Sequence, residues 1–389
     1  MTQASPPSYP AEVSLQEGPS SPHNRDARDR DPATELRRSP QELSLATGRA
    51  SSLIEEERLA EIHKNLKLFE TFREQGDLPQ STAVLESIPA LLLGLPVGKH
   101  TALKVSVSFN LAALYSDQDK FEAVESHAIE GLRLLKSALP HVQEGCAGLK
   151  VGLLSMLAES WSALGRSQSD VECVYSQAHA AAATLPPTAV IPAGGLQCVH
   201  GAYCAETGRI DDAVAYYERG LDIYRWDLDK AITQYAQHGY SLVNLYLSLR
   251  VPERAEALLD EILKVCEGRL SERSLSTFQF QRAILFAYRL DFDRASDLAD
   301  TILTADYTTQ LPVPPCIVIL RGINAFQFAL DGFHSRAVDE ILAARAYEKA
   351  TLGEDSPLLA NFIEKIRLAA SDSETRIETI SEDFAALIR

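Results

Sequence analysis

The sequence predicts an all-α protein built from about seven consecutive helical hairpins. Leu and Ala dominate the apolar residues, and Gly and Pro become sparse after the first fifty positions, a mixture that favours helix over sheet. A small residue followed three positions later by an aromatic residue recurs along the chain. The pattern returns at a nearly constant interval of about 42 residues, and a fixed interval of this size is typical of repeat proteins.

Residues 1–53 are rich in Ser and Pro, and we expect them to be disordered. They hold seven of the nineteen prolines, Tyr9 is their only Phe, Trp or Tyr residue, and they show no helical stripe. Ser5-Pro6, Ser21-Pro22 and Ser39-Pro40 fit proline-directed phosphorylation. Such pairs are also frequent in disordered tails that carry no regulation, so both interpretations stay open.

The repeats are predicted to span residues 54–370. Each consists of a first helix with a small and an aromatic residue, a polar turn, and a second helix that opens with a small residue. The segment 110–115 (NLAALY) is a clear first-helix example, and 208–213 (GRIDDA) is a clear turn. The markers of the second helices are Ser81, Val124, Asp170, Ala213, Ala255, Ala295 and Ala337, which are 43, 46, 43, 42, 40 and 42 residues apart.

The physical reason for this pattern is close packing within and between hairpins. Where two helices cross, one side must be small so that the bulk of the other fills the gap, and Ala112, Gly201, Ala283 and Ala325 hold such positions. The aromatic residues that fill the space between hairpins are Tyr115, Trp161, Tyr246, Phe286 and Phe328. Because one hairpin cannot bury its own apolar face, stacked neighbours must do so.

These residues resemble the tetratricopeptide repeat. The interval near 42 is similar to that of the long-loop variety found in kinesin light chains, and the segments 110–115 and 352–360 resemble an opening of a repeat and a loop that joins two repeats. The resemblance implies a right-handed superhelical solenoid whose first helices line a concave groove. It implies a protein-binding function without naming the partner.

Laying the sequence on that pattern predicts a partner-binding groove. The predicted groove residues are Tyr240, Asn244, Phe280, Ile284, Tyr288 and Phe326. The upstream first helices contribute Ser106, Ala113, Asp117, Glu159, Ala202 and Glu206. A groove that is aromatic towards the C-terminal half and acidic towards the N-terminal half would suit a peptide or amphipathic helix that carries basic residues. The competing interpretation is that these aromatic residues belong to the core.

Two binding modes known for the family are not expected here. The Asn pairs that line the cargo groove of kinesin light chains have no counterpart, because Asn110, Asn244 and Asn324 fall in different registers. The positions that would form a carboxylate clamp hold Leu66, Glu70, Phe109, Ala113, Ser155 and Glu159 rather than Lys, Arg and Asn.

Residues 371–389 are predicted to form a C-terminal amphipathic capping helix. The segment opens with the capping box 371–374 (SDSE), and its apolar stripe contains Ile377, Ile380, Phe384, Leu387 and Ile388. This helix is expected to cover the last hairpin, because the end of a repeat array needs a cover. A second possibility is that it fills the chain's own groove.

Composition and charge limit the class of partner and the location. The net charge is −17, which disfavours nucleic acid and anionic membrane surfaces. Six isolated cysteines without a CxxC pair fit a reducing compartment, and no apolar run is long enough to span a membrane. The expected location is the cytosol or the nucleus.

No enzyme signature, cofactor site or metal site is predicted. His200 and Cys204 lie four positions apart with Cys198 close by, but they fall on hairpin-packing positions and are interpreted as core residues. The pair Gly194-Gly195 lacks the Lys and spacing of a phosphate-binding loop. The preferred function is a non-enzymatic scaffold or adaptor that binds a partner segment in its groove. The alternative is a structural subunit of a large assembly, contacted through its convex face and ends.

Overall fold

The structure is a computed structural model that describes residues 40–74, 77–93, 95, 99–269, 272–289, 291–304 and 314–352. The described secondary structure is entirely helical, which confirms the predicted all-α class. The helices are α1 (Pro40–Glu74), α2 (Leu78–Leu93), α3 (Thr101–Ser116), α4 (Phe121–Lys136), α5 (Pro140–Gly145), α6 (Ala147–Ala163), α7 (Gln168–Ala182), α8 (Val190–Glu206), α9 (Ile210–Arg225), α10 (Leu228–Ser248), α11 (Pro252–Val265), α12 (Glu272–Tyr288), α13 (Phe292–Thr304), α14 (Pro314–Leu330) and α15 (His334–Leu352).

The described helices pair into seven hairpins, distributed over two compact units that meet in sequence at Val199 and His200. In the N-terminal unit α1 packs against α2, α3 against α4, and α6 against α7. In the C-terminal unit α10 packs against α11, α12 against α13, and α14 against α15. Gly201 of α8 lies against α9 and completes the fourth hairpin. The described residues thus contain the predicted number of hairpins.

Every described hairpin turns in the same way. The N–H of the residue just before the second helix donates a hydrogen bond to the carbonyl five residues earlier, which is the capping bond of a Schellman motif. In the third hairpin the donor lies one position earlier. The residue just before the donor has a φ of 57° to 80° in five of these turns, and only three of the five use glycine. The donor–acceptor pairs, at 2.8–3.0 Å, are Asp77–Phe72, Lys120–Tyr115, Arg166–Trp161, Arg209–Cys204, Val251–Tyr246, Asp291–Phe286 and Phe333–Phe328.

The acceptors of these bonds reproduce the interval predicted from the sequence. From Phe72 to Phe328 they follow one another at 43, 46, 43, 42, 40 and 42 residues. Three residues before each acceptor lies a buried position where the two helices of a hairpin cross. This position holds Phe69, Ala112, Ala158, Gly201, Val243, Ala283 and Ala325. A Cβ added to Gly201 would lie 3.1 Å from the carbonyl oxygen of Ala213, which shows how closely this pair of helices approaches.

The third hairpin differs from the prediction by one residue in its second helix. Asp170, taken as its small marker, is exposed, and Val171 is the buried residue at 1% exposure. The shift arises because Ser167 is an extra residue in the turn. Its side chain caps α7 by accepting a hydrogen bond from the Asp170 N–H at 3.2 Å. The prediction of Asp170 as a packing residue was therefore wrong, while the first-helix register of this hairpin was right.

Polar side chains on the second helices connect successive hairpins. We call the first and fifth residues after each second-helix marker the bridging positions. In five described junctions a bridging side chain bonds to the next hairpin, as when the Trp161 Nε1–H donates to Glu125 at 2.8 Å. The other contacts are Gln118 to Thr82, Tyr115 to Glu86, Tyr246 and Arg254 to Glu218, Arg289 to Glu256, Arg282 to Asp260, and Asn324 to Ser296 and Asp300.

Three predictions reach beyond the described residues. The first helix begins at Pro40, so the boundary predicted at residue 53 lies inside a helix, and residues 1–39 lie outside the description. The predicted joining loop after Leu352 and the predicted capping helix 371–389 also lie outside it. Their organisation stays a prediction.

Candidate functional site

The candidate site lies on the first helices of the C-terminal unit, because these helices carry all six predicted groove residues. Helix α10 contacts α12, and α12 contacts α14, so the first helices form a continuous row. Tyr240 and Asn244 belong to α10, while Phe280, Ile284 and Tyr288 belong to α12 and Phe326 belongs to α14. The first helices come together as the repeat pattern predicts.

Three of the six residues are not available on a surface. Phe280, Ile284 and Phe326 are 5%, 4% and 3% exposed. The ring of Phe326 packs against Phe292 with their centroids 4.7 Å apart. These aromatic and aliphatic side chains are therefore core residues, which corrects the prediction that they face a partner. The physical reason is that neighbouring first helices approach closely enough to enclose large side chains between them.

The other three predicted residues, Tyr240, Asn244 and Tyr288, are half-buried. The ring of Tyr240 meets the ring of Phe278 edge-on at 6.2 Å. Burial raises the pKa of the Tyr240 hydroxyl above its ordinary value, while the side chain of Asn244, one turn further along α10, acts in the opposite direction. Tyr240 and Asn244 thus form one polar pair, one helical turn apart on α10.

A residue that the sequence analysis missed fixes this pair in place. The Gln281 Nε2–H group of α12 donates to the Asn244 Oδ1 at 2.8 Å and to the main-chain oxygen of Tyr240 at 3.0 Å. Gln281 is fully buried, and its Oε1 has no hydrogen-bond partner among the described residues. The sequence carries no clear signal for this role, because the stretch 278–287 holds three polar residues, Gln279, Gln281 and Arg282, and only the packing shows that Gln281 is the buried one.

The upstream residues predicted for the acidic half show a range of exposure. Ser106 and Ala113 are buried, Asp117, Glu159 and Ala202 are half-buried, and Glu206 is exposed. Within the N-terminal unit, burial raises the pKa of Asp117 to about 6, although the nearby Arg73 guanidinium acts in the opposite direction. The Ser116 hydroxyl lies 3.5 Å from a Glu159 carboxylate oxygen. The prediction that these residues contact a partner is not tested by their geometry.

The residues that suggested a metal are part of the packing. His200 and Cys204 are 4% and 0% exposed, and the His200 ring lies 4.2 Å from the ring of Tyr216. Among the residues that the structure describes, no group of three His, Cys, Asp or Glu side chains is arranged to hold a metal ion. Within the same residues, no helix combines the length and the apolar character needed to cross a lipid bilayer.

Comparison with solved structures identifies the kind of fold. The chain is similar to aspartyl phosphate phosphatase F from Bacillus subtilis, with 12% identity, a TM-score of 0.51, and 83% of this chain and 79% of that chain covered. It is similar to the apo form of RapI, with 13% identity, a TM-score of 0.51, and coverages of 84% and 86%. A tetratricopeptide repeat protein from Parabacteroides merdae matches with 15% identity, a TM-score of 0.33, and coverages of 85% and 99%.

The fold is of the tetratricopeptide type. The repeated turn, the buried residue at each helix crossing and the interval near 42 residues are the features that establish it in this chain. No protein-family model and no curated protein matches the sequence. The identities to the solved structures lie far below the level at which an activity is shared, so the similarity is one of fold.

Proposed function

We propose that this protein is a non-enzymatic scaffold that binds a segment of a partner protein on the first helices α10 and α12. The observation that carries the proposal is the half-buried amide of Asn244, whose Oδ1 accepts a hydrogen bond from the buried Gln281 at 2.8 Å. An asparagine amide has two N–H donors and two acceptor lone pairs. Gln281 occupies one lone pair, and the N–H groups and the second lone pair are of the kind that pairs with the main chain of a bound peptide.

The surroundings of Asn244 favour a peptide over a small molecule. A fixed amide does not lose conformational freedom on binding, which lowers the free-energy cost of association. Tyr240 lies one turn before this amide on α10, Tyr288 lies on the neighbouring helix α12, and both are half-buried. Tyrosine is among the residues that contribute most to binding energy at protein interfaces. The proposed contact set is thus Tyr240, Asn244 and Tyr288.

The fold comparison gives no reason to assign catalysis. One similar structure is named an aspartyl phosphate phosphatase, but at 12% identity the likeness extends to the fold alone. The preference for a basic partner segment rests on the net charge of −17 and on the exposed Glu206 of α8, which belongs to the same unit as α10 and α12.

The test is quantitative affinity capture with mass spectrometry, followed by direct titration of each captured protein. The test variant is Asn244→Ala with Tyr288→Ala, since both residues are half-buried and their truncation spares the core. The matched control is Asn65→Ala, because Asn65 also donates a side-chain hydrogen bond, to Ser87 at 3.0 Å, but lies on α1. Circular dichroism must show that both variants keep the helical content of the wild type.

We expect the test variant to lose a partner that the control retains, with at least a tenfold weaker Kd. Retention of every partner by the test variant would contradict the site. A chain that is degraded unless it is co-expressed with several other proteins would instead favour the alternative function, a structural subunit of a large assembly.

A further inference from the structure

The last described hairpin lacks the polar bridging side chains that five of the other hairpins carry. Its second helix α15 has Val338 and Leu342 at the two bridging positions, and these side chains are 55% and 57% exposed. At the five junctions with bridging contacts, a carboxylate or hydroxyl at one of these positions bonds to the following hairpin. Val338 and Leu342 are neighbours on α15 and form an exposed apolar surface. Such a surface would be covered by apolar contacts rather than by a polar bridge.

Two exposed cations lie toward the C-terminal end of this surface, while the exposed carboxylate of Asp339 lies toward its N-terminal end. Arg345 and Lys349 follow Val338 and Leu342 at the spacing that places residues on one face of a helix, and both are exposed. We call these four residues the α15 face. Its apolar pair and its two cations would suit an amphipathic helix whose polar side is acidic.

The chain itself contains a segment of that chemistry, outside the described residues. Residues 371–389 carry the apolar stripe that includes Ile377, Ile380 and Phe384, together with five carboxylates and two arginines. Residues 353–370 lie between this segment and the end of α15 at Leu352. Eighteen residues can extend roughly 60 Å, about twice the length of a 19-residue helix, so the connection is long enough.

We propose that the α15 face is the binding surface for the chain's own residues 371–389. The apolar stripe covers Val338 and Leu342, and the carboxylates of the segment lie beside Arg345 and Lys349. This contact replaces the polar bridge that a further hairpin would supply. The inference is independent of the proposed peptide site on α10 and α12.

Hydrogen–deuterium exchange of the full chain tests the proposal. The test variant is Val338→Glu with Leu342→Glu, which places two carboxylates against the acidic segment. The matched control is Ile129→Glu, because Ile129 is a 46% exposed apolar residue at a bridging position of α4. We expect residues 371–389 to be protected in the wild type and the control, and to exchange at least about tenfold faster in the test variant.

Three outcomes would overturn the proposal. One is fast exchange of residues 371–389 in the wild type, and another is protection that the test variant leaves unchanged. A third is a dimer in sedimentation experiments that Leu342→Glu dissociates while residues 371–389 stay unprotected, which would assign the α15 face to a second copy of the chain. Lys349→Glu separates the charge contribution, since it is expected to weaken protection more at low salt than at high salt.

Discussion

The buried imidazole of His238 should make the stability of the C-terminal unit depend on pH. Its imidazole lies inside the hairpins, where the ring stacks on Tyr224 with 5.8 Å between centroids and an interplanar angle of 7°. Its Nε2 has no hydrogen-bond partner among the described residues. Burial without a partner disfavours the charged imidazolium and lowers the pKa of His238 from 6.5 to about 4.

The sign follows from comparing the folded and unfolded chains. At pH 8 the imidazole is neutral in both states, so it contributes nothing to the pH dependence. As the pH falls below 6.5 the unfolded chain takes up a proton that the folded chain refuses, and stability is lost until the pH reaches about 4. At pH 5 the loss relative to pH 8 amounts to about 2 kcal/mol, since one pKa unit corresponds to about 1.4 kcal/mol.

Urea denaturation at pH 8 and pH 5, followed by circular dichroism, measures this loss. The comparison is between wild type and His238→Phe, which keeps an aromatic ring but cannot take up a proton. The difference in the free energy of unfolding between the two pH values should be about 2 kcal/mol larger in the wild type. His141→Gln is the control, because His141 is exposed. Equal pH dependence in wild type and His238→Phe would refute the buried, unpartnered state of this imidazole.

The remaining predictions concern packing and charge. Asp117→Asn should stabilise the chain above pH 6 and have no such effect below pH 4. Because the pKa of Asp117 is raised, its contribution to stability is present below pH 3.8 and is lost as the pH rises through about 6. Urea titration across this pH range measures the change. Gly201→Leu should lower the free energy of unfolding by about 1–3 kcal/mol through contact with the Ala213 carbonyl, whereas Gly208→Ala, at a φ of 78°, should cost about 1 kcal/mol without any clash. Tyr246→Phe removes a 2.7 Å bond to Glu218 and should cost about 1 kcal/mol in the same assay, and an unchanged urea midpoint would contradict this bridge.

The hairpin repeat could be predicted from the sequence because its determinants are local. A small residue, an aromatic residue three positions later and a polar turn recur in most of the hairpins, and the turn itself depends on hydrogen bonds within five residues. The interval of 43, 46, 43, 42, 40 and 42 residues is therefore the same in sequence and in structure. The error at Asp170 came from one extra turn residue, Ser167, which displaces the second helix without disturbing the first.

The candidate site could be predicted only in part. The sequence identified the correct helices, and it selected Tyr240, Asn244 and Tyr288, which are half-buried, together with Phe280 and Phe326, which are buried. Periodicity assigns a side chain to a helix face, but the exposure of that face depends on the distance to the next helix, and this distance is set by side chains on both elements.

What the sequence by itself determined is the class of fold, the number of hairpins and their interval, since short-range spacing of small, aromatic and turn residues specifies each hairpin. Only the tertiary structure decided which inward residues are enclosed, that Gln281 orients Asn244, and that Val338 and Leu342 replace a polar bridge. The physical reason is that burial and hydrogen bonding between hairpins involve residues about 20 to 45 positions apart, whose contacts arise only when the helices pack together.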